Sequence, residues 1–459
     1  MKRREFLTTA GCFAAWNTGF RGRLRGAQAP PPAAPGPKPN IVFILADDLG
    51  IGGLSCYGAD IFKTPNIDRL ASGGIRFTHC YTAPLAGPSR AIMMTGRYPF
   101  RTGATNQDSS AELDPDDETF LPAVLKPAGY VTASIGGWGQ LPLGPADFGF
   151  DEHLKFAGSA IYWNTQEKGR TYLVNGSVRD LHDQEYLPDV MHNFLVDFMT
   201  RNREKPFYAY YSLPFVHPEI MRTPDTAADT RDLYSDNIAY LDKLVGNLVT
   251  ELERLKLRDH TMVVFVSDGG TGGVFADEST IGGRRLSGEK GSMLEGGALV
   301  PLIVNWPGNA PAGRVSADLI DSSDFLPTLA EVAGAKLPAD TVIDRRSFAH
   351  QLRGQKGNPR DSVFVQLAGK WYAREAGWKL NQAGELFDMS KAPFEEPMAA
   401  AGTKDPAAIA ARQRLQASLD KLNPAGGIVD EGDGTGRHAS RQTTSKKKKK
   451  KNQSRKDGR

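Results

Sequence analysis

Long apolar runs are missing from this chain, cysteine is scarce, and neither sign of charge prevails overall. None of the hydrophobic stretches in its 459 residues approaches the roughly 20 residues that a membrane-spanning helix needs, so no transmembrane segment is expected. Three cysteines, Cys12, Cys56 and Cys80, are too few for a disulfide framework in a protein of this size, although Cys56 and Cys80 leave room for one bridge. The near-balance of 56 Lys and Arg against 53 Asp and Glu hides an asymmetry. Of the net +3, residues 437–459 carry +10 and the first 29 residues +5, which leaves −12 for everything between. The body is acidic and its ends are basic. What is present, 40% hydrophobic and 24% charged residues, is ordinary for a globular protein with one large domain and a small one.

The N-terminus, MKRREFLTTAGCFAAW, has the pattern of a twin-arginine export signal over residues 1–29. Arg3 and Arg4 precede Phe6 and Leu7, a short apolar stretch follows, and an A-x-A site lies at Ala27–Ala29, so a periplasmic or extracellular location is expected. Thr9, three residues before Cys12, fits a lipoprotein acceptor site poorly. Residues 30–39 are rich in Pro and Ala and read as a linker. Residues 426–459 are almost without apolar side chains and are expected to be disordered, with the run Lys446–Lys451 as a candidate polyanion-binding element.

Folded sequence is expected from Asn40. NIVFILADDLG is a continuous apolar run of strand length that delivers Asp47 and Asp48 to the carboxyl end of a buried parallel strand, where ligand sites form in open α/β sheets. Further buried strands fit residues 131–135, 207–212, 262–266 and 302–306. Between them, Ile238, Leu241, Val245, Leu248, Leu252 and Leu255 mark one face of a helix. Strands alternating with helices predict a doubly wound α/β domain over residues 40–350. DSVFVQL, GKWYAREAGWKL and ELFDM then predict a small antiparallel sheet within 351–425.

The segment APLAGPSRAIMMTGRYPFRTG, residues 83–103, resembles the signature of the sulfatase family, C-x-P-S-R followed by T-G-R-[YW]-P. TPNIDRLASGGIRFTHCY, LPAVLKPAGYVTASIGGW, NIAYLDKLVGNL, TMVVFVSDGG, GEKGSMLEGGALVPLIVNWPG and DFLPTLAEVAGA also resemble family segments, in the family's order. The resemblance implies an alkaline-phosphatase-like α/β/α sandwich with a mostly parallel central sheet and a small C-terminal antiparallel sheet. It implies hydrolysis of sulfuric esters by a formylglycine made from the signature cysteine, beside calcium held by two adjacent aspartates and an Asp-Asn pair. In this chain the cysteine position is Ala86, whose methyl group cannot become formylglycine. Asp47, Asp48 and Asp268 match the aspartates, whereas Gly269 stands at the asparagine. The family's Lys-x-His appears as Gly137-Trp138-Gly139. Arg90, His217 and Lys290 match the signature arginine and the family's other histidine and lysine.

Four positions that carry chemistry are thus lost together, while Pro88, Gly96 and Pro99, which shape backbone, are kept. This predicts a sulfatase-fold protein without formylglycine-dependent hydrolysis, binding an anionic or sulfated small molecule or glycan in a pocket that the glycines widen, with calcium at a weakened site. Two other readings stand beside it. One is a sulfate or phosphate ester hydrolase that uses metal-bound water; the other is a surface protein that works through its lysine-rich tail. Ser89 lies nearest to the lost nucleophile but has no evident activating base, and Cys80 is expected in the preceding strand.

Overall fold

The computed structural model describes residues 38–430, apart from 340, 341, 343 and 345. The export signal, almost all of the linker and all but the first residues of the basic tail lie outside the described residues.

Ten strands form the central sheet. In chain order they are β1 (Asn40–Ala46), β2 (Ile75–Tyr81), β3 (Val131–Gly136), β4 (Glu152–Lys155), β5 (Thr171–Val174), β6 (Ser177–Asp180), β7 (Phe207–Ser212), β8 (Thr261–Ser267), β9 (Leu299–Asn305) and β10 (Arg314–Asp321). Their spatial order is β10-β2-β9-β8-β1-β7-β3-β4-β5-β6. The run β8-β1-β7-β3-β4 is wholly parallel. β9 is antiparallel to both its neighbours, β8 and β2, and the hairpin β5-β6 extends the far edge antiparallel to β4.

The alternation of β1 shows why the sheet is a sandwich filling. Val42, Ile44 and Ala46 point into one core, which includes Ile238, Leu241, Val245, Leu248 and Leu252 of the helix Leu233–Arg254. Ile41, Phe43 and Leu45 point into the other, with Phe325, Leu326 and Leu329 of the helix Phe325–Ala333. Both faces are apolar because both are covered, which is why the strand reads as one unbroken hydrophobic run. Each buried aliphatic side chain contributes about 1.5–3 kcal/mol to that packing.

A separate four-stranded antiparallel sheet follows: β11 (Val363–Leu367), β12 (Lys370–Arg374), β13 (Trp378–Asn381) and β14 (Leu386–Asp388). Phe364, Ala373 and Leu380 of this sheet pack with Leu415 and Leu419 of the helix Pro406–Leu422 and with Tyr98 and Phe100. The fold class expected from the sequence is the one observed. Cys56 and Cys80 are both free, so the bridge that the sequence left open is not formed. Among the described residues no helix is long and apolar enough to cross a membrane.

Candidate active site

Strand register brings the first acidic residues together. β1 pairs with β8 so that Ala46 faces Ser267, and the next residue on each strand is an aspartate, Asp47 and Asp268. Asp48 follows with φ of 62°, a left-handed conformation uncommon for a residue with a side chain, and its N–H donates to Asp268 Oδ1 at 3.2 Å. The turn is held on its other side by Asp47 N–H donating to Phe215 O at 2.7 Å, which ties it to the loop that carries His217. All three carboxylates are buried at the carboxyl ends of parallel strands.

Two cations enter this acidic cluster. Arg90, 1% exposed, lies on the helix Ala86–Thr95. Its Nη2 stands 2.7 Å from Asp268 Oδ2 and 3.3 Å from Asp47 Oδ2, and its Nη1 donates to Gly137 O and Ser212 Oγ, both at 2.7 Å. Lys290 Nζ donates to Asp48 Oδ2 at 2.5 Å. The loop bearing Lys290 is pinned by its own N–H to Thr271 O and by Gly291 N–H to Pro84 O, each at 2.9 Å. His217 Nε2 lies 3.9 Å from the same Asp48 oxygen.

Three carboxylates against two fixed cations leave a deficit of positive charge. Burial, then repulsion from Asp268 and Asp48, holds the Asp47 carboxyl well above the usual carboxylate range despite Arg90 and Lys290. Burial also raises Asp48, with Lys290 and His217 pulling the other way. Burial works against the Lys290 charge, but Asp48 and Asp47 outweigh it and the ammonium is favoured. His217 is pushed down by burial, which keeps a neutral imidazole at neutral pH.

Asp47 Oδ1 and Asp48 Oδ1 are buried and accept no hydrogen bond. Asp47, Asp48 and His217 also bring one potential ligand atom each within 4.8 Å of the others. Unpartnered carboxylate oxygens with a deficit of positive charge are the donor chemistry of a hard divalent cation, and the residues present fit one.

The family model described as Sulfatase matches residues 39–335. The chain belongs to the sulfatase family. It is 31% identical over 456 residues to the steryl-sulfatase of Mus musculus, covering 77% of this chain and 72% of that one. It is 34% identical over 404 residues to the N-acetylgalactosamine-6-sulfatase of Canis lupus familiaris, covering 79% and 76%. Among solved structures it is similar to Ps i-CgsB in complex with k-i-k-neocarrahexaose, with a TM-score of 0.75, 25% identity, and coverage of 86% of this chain and 96% of that one.

Within this sulfatase fold, Ala86 opens the helix that carries Arg90 and is 5% exposed. Ser89 faces inward, its hydroxyl directed at the carbonyls of Ala83 (2.8 Å) and Leu85 (2.9 Å). Cys80 lies inside β2, as expected, where burial holds its thiol protonated. Gly137 and Gly139 follow β3, but they do not widen the site as the sequence suggested. The space is already taken: a Cβ at Gly139 would stand 2.8 Å from Arg90 Cδ, and one at Gly137 3.3 Å from Ser212 Oγ. Gly269 is different, because a Cβ there would meet nothing closer than 3.9 Å. Ser212, at the end of β7, is a site residue that sequence reasoning missed; a serine closing an apolar strand carries no signal of its own.

Proposed function

We propose that this sulfatase-family protein binds a sulfated or otherwise anionic ligand, carbohydrate in character, and does not hydrolyse it by the formylglycine route. The observation that carries the reading is the side chain at Ala86. It is a methyl group at the start of the helix where the family signature places its nucleophile, and the hydroxyl three residues on, Ser89, is committed to backbone carbonyls. Gly137 and Gly139 offer no cation or proton donor to a sulfate, and Arg90 is engaged by Asp268 and Asp47. Lys290, partly exposed at the rim and with N–H groups beyond its bond to Asp48, is the group left to meet an anion. A divalent cation, when bound, would be held by the unpartnered oxygens of Asp47 and Asp48 with His217 beside them, rather than by Asp268, whose two oxygens are taken by Asp48 N–H and Arg90, and it would supply a positive centre for the ligand's oxygens. The complex of a structural relative with k-i-k-neocarrahexaose supports a carbohydrate ligand, and the Arg3-Arg4 pattern supports export.

The test is a turnover assay on aryl sulfates and sugar sulfates with protein coexpressed with a formylglycine-generating enzyme. The same preparation is titrated with the sugar sulfates. We expect binding without turnover, and no turnover from Ala86→Cys alone, because Gly137, Gly139 and Gly269 still lack their functional side chains. Hydrolysis by the unaltered protein above that of an Asp47→Asn/Asp48→Asn variant would overturn the reading in favour of a hydrolase that needs no side-chain nucleophile.

A further inference from the structure

A cleft of about 590 Å³ lies away from the carboxylate cluster. It is bounded by the helices Pro65–Ser72 and Leu233–Arg254 and by Asn305 at the end of β9. Because β9 runs antiparallel to β8, with Asn305 beside Val263, this is the amino end of β8, whereas Asp268 follows its carboxyl end. Five residue steps along the strand, from Val263 to Asp268, put about 16 Å between the two places.

The charges in the cleft are arranged unlike those in the acidic cluster. Arg69 and Arg258 both line it, and among the described residues neither guanidinium has a carboxylate within 4.0 Å. Each is instead held by a neutral acceptor: Arg69 Nη2 donates to Asn66 Oδ1, and Arg258 Nη2 donates to Asn305 Oδ1. Asn305 is itself 3% exposed and is fixed by its Nδ2 donating to Leu70 O at 2.8 Å. The guanidiniums are therefore positioned without being neutralised, each with N–H groups left over. Burial pulls the Arg258 pKa down, only partly offset by Glu253 and Asp259, so its charge is held there at a cost that an incoming anion would relieve. Two further charges line the cleft: Lys243, already paired with Asp225 at 2.6 Å, and Glu253, whose carboxylate stands more than 4.0 Å from either guanidinium. Asn247 and Thr250 present amide and hydroxyl groups from exposed positions on the longer helix, and the volume suits a ligand of sugar size.

We propose that this cleft is a second binding site, separate from the family's site, for a sulfate or phosphate ester carried on a polyhydroxylated body. Arg69 and Arg258 take the ester oxygens through their planar donor forks, and Asn247 and Thr250 take hydroxyls of the sugar. A neutral sugar gains nothing from the guanidiniums, and a bare inorganic anion leaves the amide and hydroxyl lining unused.

The test uses the full chain and calorimetric titration with glucose 6-sulfate, glucose 6-phosphate and glucose. Either ester is expected to bind and glucose is not; the two ester arms tell which ester the cleft prefers. Arg69→Gln/Arg258→Gln should weaken ester binding by about tenfold or more, the loss expected of charge-assisted hydrogen bonds. Lys290→Gln, at the other end of the sheet, should leave that component unchanged. Asn247→Trp fills the cleft from an exposed helix position and should give the same loss if the double variant fails to fold. Ester binding unaltered in both cleft variants, ester binding abolished by Lys290→Gln, or no ester binding at millimolar concentration would each overturn the proposal.

Discussion

Replacing Gly139 by alanine should cost this protein more stability than any ordinary glycine-to-alanine change, and the reason is Arg90. The residue has φ of +68°, where an L side chain costs about 1–2 kcal/mol. Its new Cβ would stand 2.8 Å from Arg90 Cδ and 3.0 Å from Arg90 Nε, so the arginine must shift. A flexible arginine would give way cheaply, but this one is fixed by Asp268, Asp47, Gly137 O and Ser212 Oγ. Breaking a buried pair outright costs about 3–5 kcal/mol, and displacing it by a few tenths of an ångström forfeits a part of that, about 1–2 kcal/mol. The reduced freedom of the unfolded chain returns about 0.4–1 kcal/mol. The net loss is therefore about 2–3 kcal/mol, or roughly 3 °C in the unfolding midpoint of a domain of this size. Gly269→Ala is the control, because its Cβ would meet only ordinary contacts and its φ is not positive; it should be neutral or slightly stabilising. Thermal unfolding of both variants under one set of conditions checks this, and equal midpoints would refute the placement of Arg90 against Gly139.

Other consequences are as direct. Calcium at a hundred times its dissociation constant should stabilise the protein by about 2.7 kcal/mol, and Asp48→Asn should abolish the shift; a midpoint indifferent to calcium and chelator would show that the unpartnered oxygens of Asp47 and Asp48 hold no ion. In a Cys12→Ser background, the native protein should react with a thiol reagent at pH 8 far more slowly than free cysteine. Burial and Asp68 push the Cys56 thiol up to about 12, and Cys80 is fully buried; labelling at the rate of the unfolded chain would contradict this packing. Truncation after Gly436 should abolish heparin binding that falls steeply with salt, since the body that remains is acidic; undiminished heparin affinity would place the polyanion site in the folded part.

The sheet was legible where burial is two-sided. NIVFILA, FYAYYS and TMVVFVS became β1, β7 and β8 within a residue or so of where the sequence put them, because an unbroken apolar run has few other uses in a chain this polar. The strand anticipated at 302–306 is real but begins at Leu299 and runs antiparallel, and direction leaves no mark on composition. The hairpin β5-β6 went unread although its turn was signalled: Asn175 and Gly176 adopt φ of 50° and 81°, the conformation that Asn-Gly favours between paired strands. Its strands are mostly exposed, so no hydrophobic alternation drew attention to them. The helix Pro406–Leu422 was also signalled, by Asp405 as a capping acceptor for Ala407 N–H and by Pro406 in the first turn.

The site divides along a different line. Which residues gather was legible, because Asp47, Asp48 and Asp268 end neighbouring parallel strands and the family order supplies Arg90, His217 and Lys290. How they partition charge was not. Arg90 reaches Asp268 across 178 positions of sequence and Lys290 reaches Asp48 across 242, and no local pattern encodes either contact. The consequence falls on the glycines. Read along the chain, Gly137, Gly139 and Gly269 look like equivalent deletions of function, yet only Gly269 leaves open room for the side chain it lacks. At Gly139 backbone conformation and the Arg90 stem both oppose any larger residue, so a histidine there must first displace an arginine paired with two buried aspartates. Those two positions therefore act as one unit, and a larger residue at 139 cannot be introduced without disturbing the ion pairs that Arg90 makes with Asp47 and Asp268.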